Sequence, residues 1–210
     1  MEELQPRWDE ATTELITKLE DRGINFENYN AIELFGRDAS WQTKLFAKKV
    51  KTLEVWEINS EFEKQLKENL PKSKVKIIDS IKTLKENDNF HSFDLILIDN
   101  PNNTYGLNGE YCEHFDILGN IVKLIDKKAV VIFNVNRQPF NYSKFPDWKK
   151  RRDEFYGIKD TENVSIEKLL TFYEAFFKKM RLKVIFSINV VRVLFEEIDT
   201  NHYFAFYLER

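Results

Sequence analysis

Short apolar runs alternate with amphipathic stretches along most of the chain, and that alternation defines the predicted elements. Residues 9–22, DEATTELITKLEDR, carry apolar side chains at helical spacing and end at Gly23, which predicts a leading helix. AIELF (31–35) reads as a short buried strand and SWQTKLFAKKV (40–50) as an amphipathic helix. TLEVWEI (52–58) predicts a second strand, followed by a charged helix from Ser60 to Leu70 that stops at Pro71. VKIID (75–79) and SIKTLKEN (80–87) predict a third strand and a short helix. FDLILID (93–99) is the most apolar strand, 111–126 reads as helical, and AVVIFNV (129–135) is a fifth strand.

Five strands alternating with helices imply βαβ units and a parallel sheet covered on both faces. The pattern then breaks. Residues 136–160 read as an irregular insertion covering the substrate side, ahead of a helix at 163–180 rich in Phe and Tyr. A long apolar strand at 183–195 and a last one, HYFAFYL (202–208), are joined by only EEIDTN. Such a link is too short for a helical crossover, so these two strands must pair antiparallel.

Composition narrows the class. The 210 residues suit one domain, with the N-terminal 1–25 as a helical leader. Eighteen Phe predict a well-filled aromatic core. With 32 basic and 35 acidic residues the net charge is −3, which argues against coating nucleic acid through bulk charge. A single cysteine, Cys112, excludes an intramolecular disulfide, and histidines at 91, 114 and 202 form no zinc-type cluster, so no metal is expected. The polar start MEELQPRWDE is unlike a signal peptide, and no apolar run nears ~20 residues, so a cytoplasmic protein away from membranes is expected.

Several strand ends carry groups able to bind a nucleoside. Glu57 ends the second strand 24 residues after Glu33, where a carboxylate can accept both hydrogen bonds of a ribose diol. Asp79 and Ser80 end the third strand, with helix capping as the alternative use. Asp99 ends the fourth strand and is followed by Asn100, Pro101 and Tyr105, either a ligand loop or a plain turn. Asp99 and His114 are the candidate proton acceptors, though His114 sits among apolar residues, where a structural role is commoner. FPDWKKRRDEFYG (145–157) sets Lys149, Lys150, Arg151 and Arg152 beside Trp148, a pattern suited to a phosphorylated or nucleic-acid acceptor. A solvated helix face is the commoner use of such a run.

This strand plan resembles that of the Rossmann-like (class I) S-adenosylmethionine-dependent methyltransferases. That resemblance implies a three-layer α/β/α sandwich with a mostly parallel seven-stranded sheet ending in an antiparallel hairpin. ELFGRDA resembles the family's ELFAGSG turn at Glu33, Leu34 and Phe35, with Gly36 in place of Ala and Arg37 and Ala39 in place of glycines. VWEIN resembles the family's VxEID-like pattern at Glu57 and Ile58. The resemblance therefore implies S-adenosyl-L-methionine as cofactor, held by Glu33, Phe35, Gly36, Asp38, Glu57, Ile58, Asp79, Ser80 and Asp99.

The segment FDLILIDNPNNTYG resembles two family variants. Asp99 and Tyr105 match the cation-dependent O-methyltransferase pattern FIDADKxxY, but Pro101 stands where a second metal-binding Asp is needed. Asn100-Pro101 match the first half of the [DN]PP[YF] segment of amino-group enzymes, which implies Asp99, Asn100 and Tyr105 as catalytic residues. The implied activity is methyl transfer to an amine or hydroxyl of a small-molecule or nucleic-acid acceptor, including a base methyltransferase working through Asp99-Asn100-Pro101. The alternative is a methyltransferase-like binding or scaffold protein that has lost the cofactor, which the Arg37 and Ala39 replacements favour.

Overall fold

A computed structural model describes residues 4–88, 90, 92–99, 103–105, 110–137, 146–158, 161, 164–195 and 198–210. Its main sheet has eight strands. In chain order they are β1 (Leu4–Pro6), β2 (Asn30–Glu33), β3 (Thr52–Glu57), β4 (Lys74–Ile77), β5 (Leu95–Ile98), β8 (Lys128–Asn136), β9 (Lys183–Phe195) and β10 (Ile198–Glu209), with a separate hairpin of β6 (Asn103–Tyr105) and β7 (Glu110–Cys112). Across the sheet the order is β1-β9-β10-β8-β5-β2-β3-β4. Strands β2, β3, β4, β5 and β8 run parallel, and β10 lies antiparallel between β8 and β9.

The period of two along the strands decides which helices pack where. In β5, Leu95 and Leu97 face a core with Val55, Val130 and Ile132. Ile96 and Ile98 face the other core, with Trp56, Val131 and Phe133. The first face is covered by α1 (Trp8–Glu20), α2 (Gln42–Ala47) and α3 (Glu63–Asn69), which supply Leu15, Phe46 and Leu66. The second is covered by α4 (Ser80–Glu86), α5 (Phe115–Leu118) and α7 (Ile166–Lys179), through Leu84, Leu118, Tyr173 and Phe177. Helix starts carry their own signals: Asp79 accepts from the Lys82 N–H at 2.9 Å and Ser165 from the Lys168 N–H at 3.3 Å. The Rossmann-like α/β/α sandwich is therefore present.

Four expectations change. Leu4–Pro6 adds an eighth strand, antiparallel to β9, because three residues are too few to show a period. The stretch 111–126 is not one helix: Glu110–Cys112 is a strand, so Cys112 ends β7, and only Phe115–Leu118 is α-helical, with a 3-10 turn at Ile121–Leu124. Within 136–160, Pro146–Tyr156 forms helix α6. Finally, β10 opens at Ile198, opposite Phe195, so most of the polar link EEIDTN belongs to the ladder. Register shifts at Asp199 and Asn201 absorb the irregular start.

Candidate functional site

Order along the sheet reverses at β2: the chain goes outward to β3 and β4, then returns to β5 on β2's other side. At such a switch point the loops leaving neighbouring strands part and leave a crevice at their carboxyl ends. The turn Leu34–Ser40 borders it. Gly36 is pressed onto β3, donating to Trp56 O at 2.8 Å, and a Cβ there would collide with Val55 Cγ1. Glycine is thus required by close packing against β3. Arg37 and Ala39 stand at φ +45° and +56°, the left-handed region that glycine enters freely. The backbone path of a glycine turn persists with side chains attached.

Neighbouring strand tips are tied to this turn. Glu33 is fully buried and accepts from Phe35 N–H at 3.1 Å, Thr43 Oγ1 at 3.1 Å and Asp99 N–H at 3.3 Å. Burial, and then the Asp99 charge, push its carboxyl up to about 8. Glu57 accepts from Arg37 N–H at 2.6 Å through one oxygen and from Asn59 N–H at 2.7 Å through the other. Each oxygen keeps a second lone pair, so a diol can still bind. Ser80 donates to Leu34 O at 2.7 Å, and Asp79 caps α4, so both serve the fold at the crevice wall. Asp38 accepts from Ser40 N–H at 3.0 Å and closes the turn on itself. Phe35 is buried and Ile58 half-buried.

The structure also places residues here that the pattern did not single out. Arg192, from β9, is buried with Nη2 3.0 Å from Asp99 Oδ1. Its guanidinium lies 4.9 Å from the Tyr203 ring and 5.5 Å from the Trp41 ring. Arg37, exposed, lies 4.7 Å from that same Trp41 ring, and Trp8 contacts Trp41 at 4.9 Å. Burial raises Asp99's carboxyl, opposed by Arg192 and then Arg37. The available signal was a lone arginine inside the apolar strand KVIFSINVVRVLF. A charge in such a run needs a buried partner.

Two catalytic expectations cannot be placed: Asn100 lies outside the described residues, and Tyr105 belongs to β6 by its backbone. The basic run proves structural where it is buried. Arg152 is fully buried, bonding both Glu113 oxygens at 2.6 and 2.8 Å and Asn136 O at 2.8 Å, while buried Trp148 donates to Glu113 at 2.5 Å. Lys149 pairs with Asp153, Lys150 with Glu154 and Arg151 with Asp116. Neither Trp148 nor Arg152 is available to an acceptor, because α6 turns that face into the core. His114 is also structural: it is fully buried, 2.6 Å from Tyr173 Oη, and burial holds it well below the usual imidazole range.

Structural comparison identifies the fold. The chain matches the N-methyltransferase NodS from Bradyrhizobium japonicum in complex with S-adenosyl-L-homocysteine, with a TM-score of 0.57 at 12% identity over 95% of this chain and 86% of NodS. M. jannaschii TYW2 in complex with AdoMet matches with a TM-score of 0.53 at 14% identity, over 91% of this chain and 75% of TYW2. A candidate RNA methyltransferase from Pyrococcus horikoshii gives 0.56 at 14% identity, over 96% and 84%. The chain has the class I methyltransferase fold. No family model and no curated protein matches its sequence. Among the described residues, no helix is long and apolar enough to cross a membrane.

Proposed function

We propose that this protein is an S-adenosylmethionine-dependent methyltransferase acting on an amine or hydroxyl acceptor. One observation carries the reading: Glu33, Glu57 and Ser80, from the ends of β2 and β3 and the start of α4, bond the backbone of the left-handed turn around Gly36 at the sheet's switch point, and Asp99 joins them through its N–H on Glu33. The donor set fits the cofactor. Glu57 has lone pairs for the ribose hydroxyls, Phe35 and Ile58 offer apolar surface beside it, and Asp79 lies at the third strand's end, where the base edge would sit. Arg37 is exposed, its guanidinium over the Trp41 ring rather than buried within the turn.

When bound, S-adenosylmethionine supplies a methyl group on a sulfonium, a good leaving group by its own charge. The chain's share is to align the acceptor and take one proton. The candidates to meet the acceptor are Asn100 and Tyr105, which follow Asp99 in the sequence. Titration calorimetry with S-adenosylhomocysteine tests the proposal, with saturable one-to-one binding as the expected result. No binding of product or cofactor at millimolar concentration would leave the cofactor-free scaffold as the correct reading.

A further inference from the structure

The crevice mouth carries an unusual grouping of charge. Two guanidiniums lie over the indole of Trp41, Arg37 at 4.7 Å and Arg192 at 5.5 Å. Arg192 is the buried one, seated on Asp99 Oδ1, and its backbone carbonyl accepts from Arg7 N–H at 3.0 Å. Arg37 is the exposed one. Its charge reaches Asp99, yet the two side chains form no direct ion pair. Among the described residues, no hydrogen bond takes Asp99's second oxygen. An exposed cation over the Trp41 ring and a carboxylate that Arg192 engages through one oxygen thus lie on the same side of the turn cluster.

We propose that Arg37 and Asp99 read the zwitterionic amino-acid head of the methyl donor, Arg37 taking the α-carboxylate and Asp99 the α-ammonium, with Arg192 as the residue that positions Asp99. The inference rests on the reading that this crevice takes S-adenosylmethionine. A guanidinium matches a carboxylate with two parallel hydrogen bonds, and stacking on Trp41 holds its plane in advance. Arg192, 3.0 Å from Asp99 Oδ1, opposes the rise that burial imposes on that carboxyl and so favours the charged form that an ammonium would meet. The residue that departs most from the glycine turn thereby gains a role. At φ +45° an arginine bears a backbone cost that glycine avoids, and it delivers a charge to the crevice mouth.

The test compares two probes, S-adenosylhomocysteine and methylthioadenosine, a nucleoside thioether without the amino-acid head. The wild-type protein is expected to prefer the first by about tenfold or more, the range of a charge-assisted pair. Arg37→Gly restores the family's glycine and relieves the left-handed backbone, so its melting temperature should hold or rise. Its preference for S-adenosylhomocysteine should fall by about tenfold while methylthioadenosine binds unchanged. Arg192→Met should lose the same preference, and Arg192→Lys should restore part of it.

An Arg37→Gly protein that binds S-adenosylhomocysteine as well as or better than wild type overturns the inference. So does a wild type that binds both probes equally, which leaves the methyltransferase reading standing. Failure of the wild type to bind either probe overturns both.

Discussion

Two buried charge clusters flank the carboxyl edge of this sheet, and they are built differently. On the α6 side, Glu113 is fully buried and taken up by Arg152 and Trp148, while His114, Tyr173 and Tyr156 form a hydrogen-bonded chain with contacts of 2.6 and 2.7 Å. On the turn side there are two buried carboxylates, Glu33 and Asp99, and one buried arginine, which pairs with Asp99; the second arginine is exposed. The α6 cluster is matched charge for charge and fastens a helix. The turn cluster lacks one cation, and burial leaves Glu33 holding a proton at neutral pH instead. A closed ledger of charge marks a structural lock; an open one marks a place for a ligand.

Breaking the lock should have the largest effect. Arg152→Met strands Glu113 in the core and should destabilise the protein by about 3–5 kcal/mol, measured by denaturant unfolding. Adding Glu113→Gln should recover part of that loss. Arg192→Met should cost less, about 1–3 kcal/mol by the same assay, because Asp99, already raised by burial, can neutralise itself with a proton. Equal costs for the two arginines would erase the contrast between the clusters.

Gly36→Ala should destabilise by about 1–3 kcal/mol, since the new methyl group meets Val55 and the carbonyl of Trp56 at 3.2 Å. The turn cluster also predicts a pH signature. The folded protein holds the Glu33 proton up to about pH 8 whereas the unfolded chain releases it near 4.5. Stability from this group is therefore complete below the lower value and falls as pH rises through the higher one. Thermal melts of Glu33→Gln against wild type should show that decline removed across the same range. The smallest effect is expected at the α6 surface, where Lys149→Ala and Lys150→Ala should each shift stability by no more than about 0.5 kcal/mol.

Much of the architecture was legible in the order of apolar runs. The stretch 183–195 coincides with β9, and FDLILID contains β5, because strands buried on both faces write themselves as unbroken apolar runs. Glu57 and Asp99 were legible as strand-end acids for the same reason. Arg152 and Trp148 were misread because a basic run looks the same whether α6 faces water or the core. The eighth strand and the β6–β7 hairpin escaped notice because three-residue strands are held by ladder bonds between backbones, which side-chain pattern does not record.

Local pattern alone was enough to order the elements, orient the parallel set and forecast the closing hairpin, since burial of alternate residues depends on neighbours close in the chain. Folding in three dimensions decided the rest: that Arg192 would reach Asp99 from a strand 93 positions later in the chain, and that Arg37 would stack on Trp41. Charges find their partners through space, and only the packed sheet brings those distant positions within bonding distance.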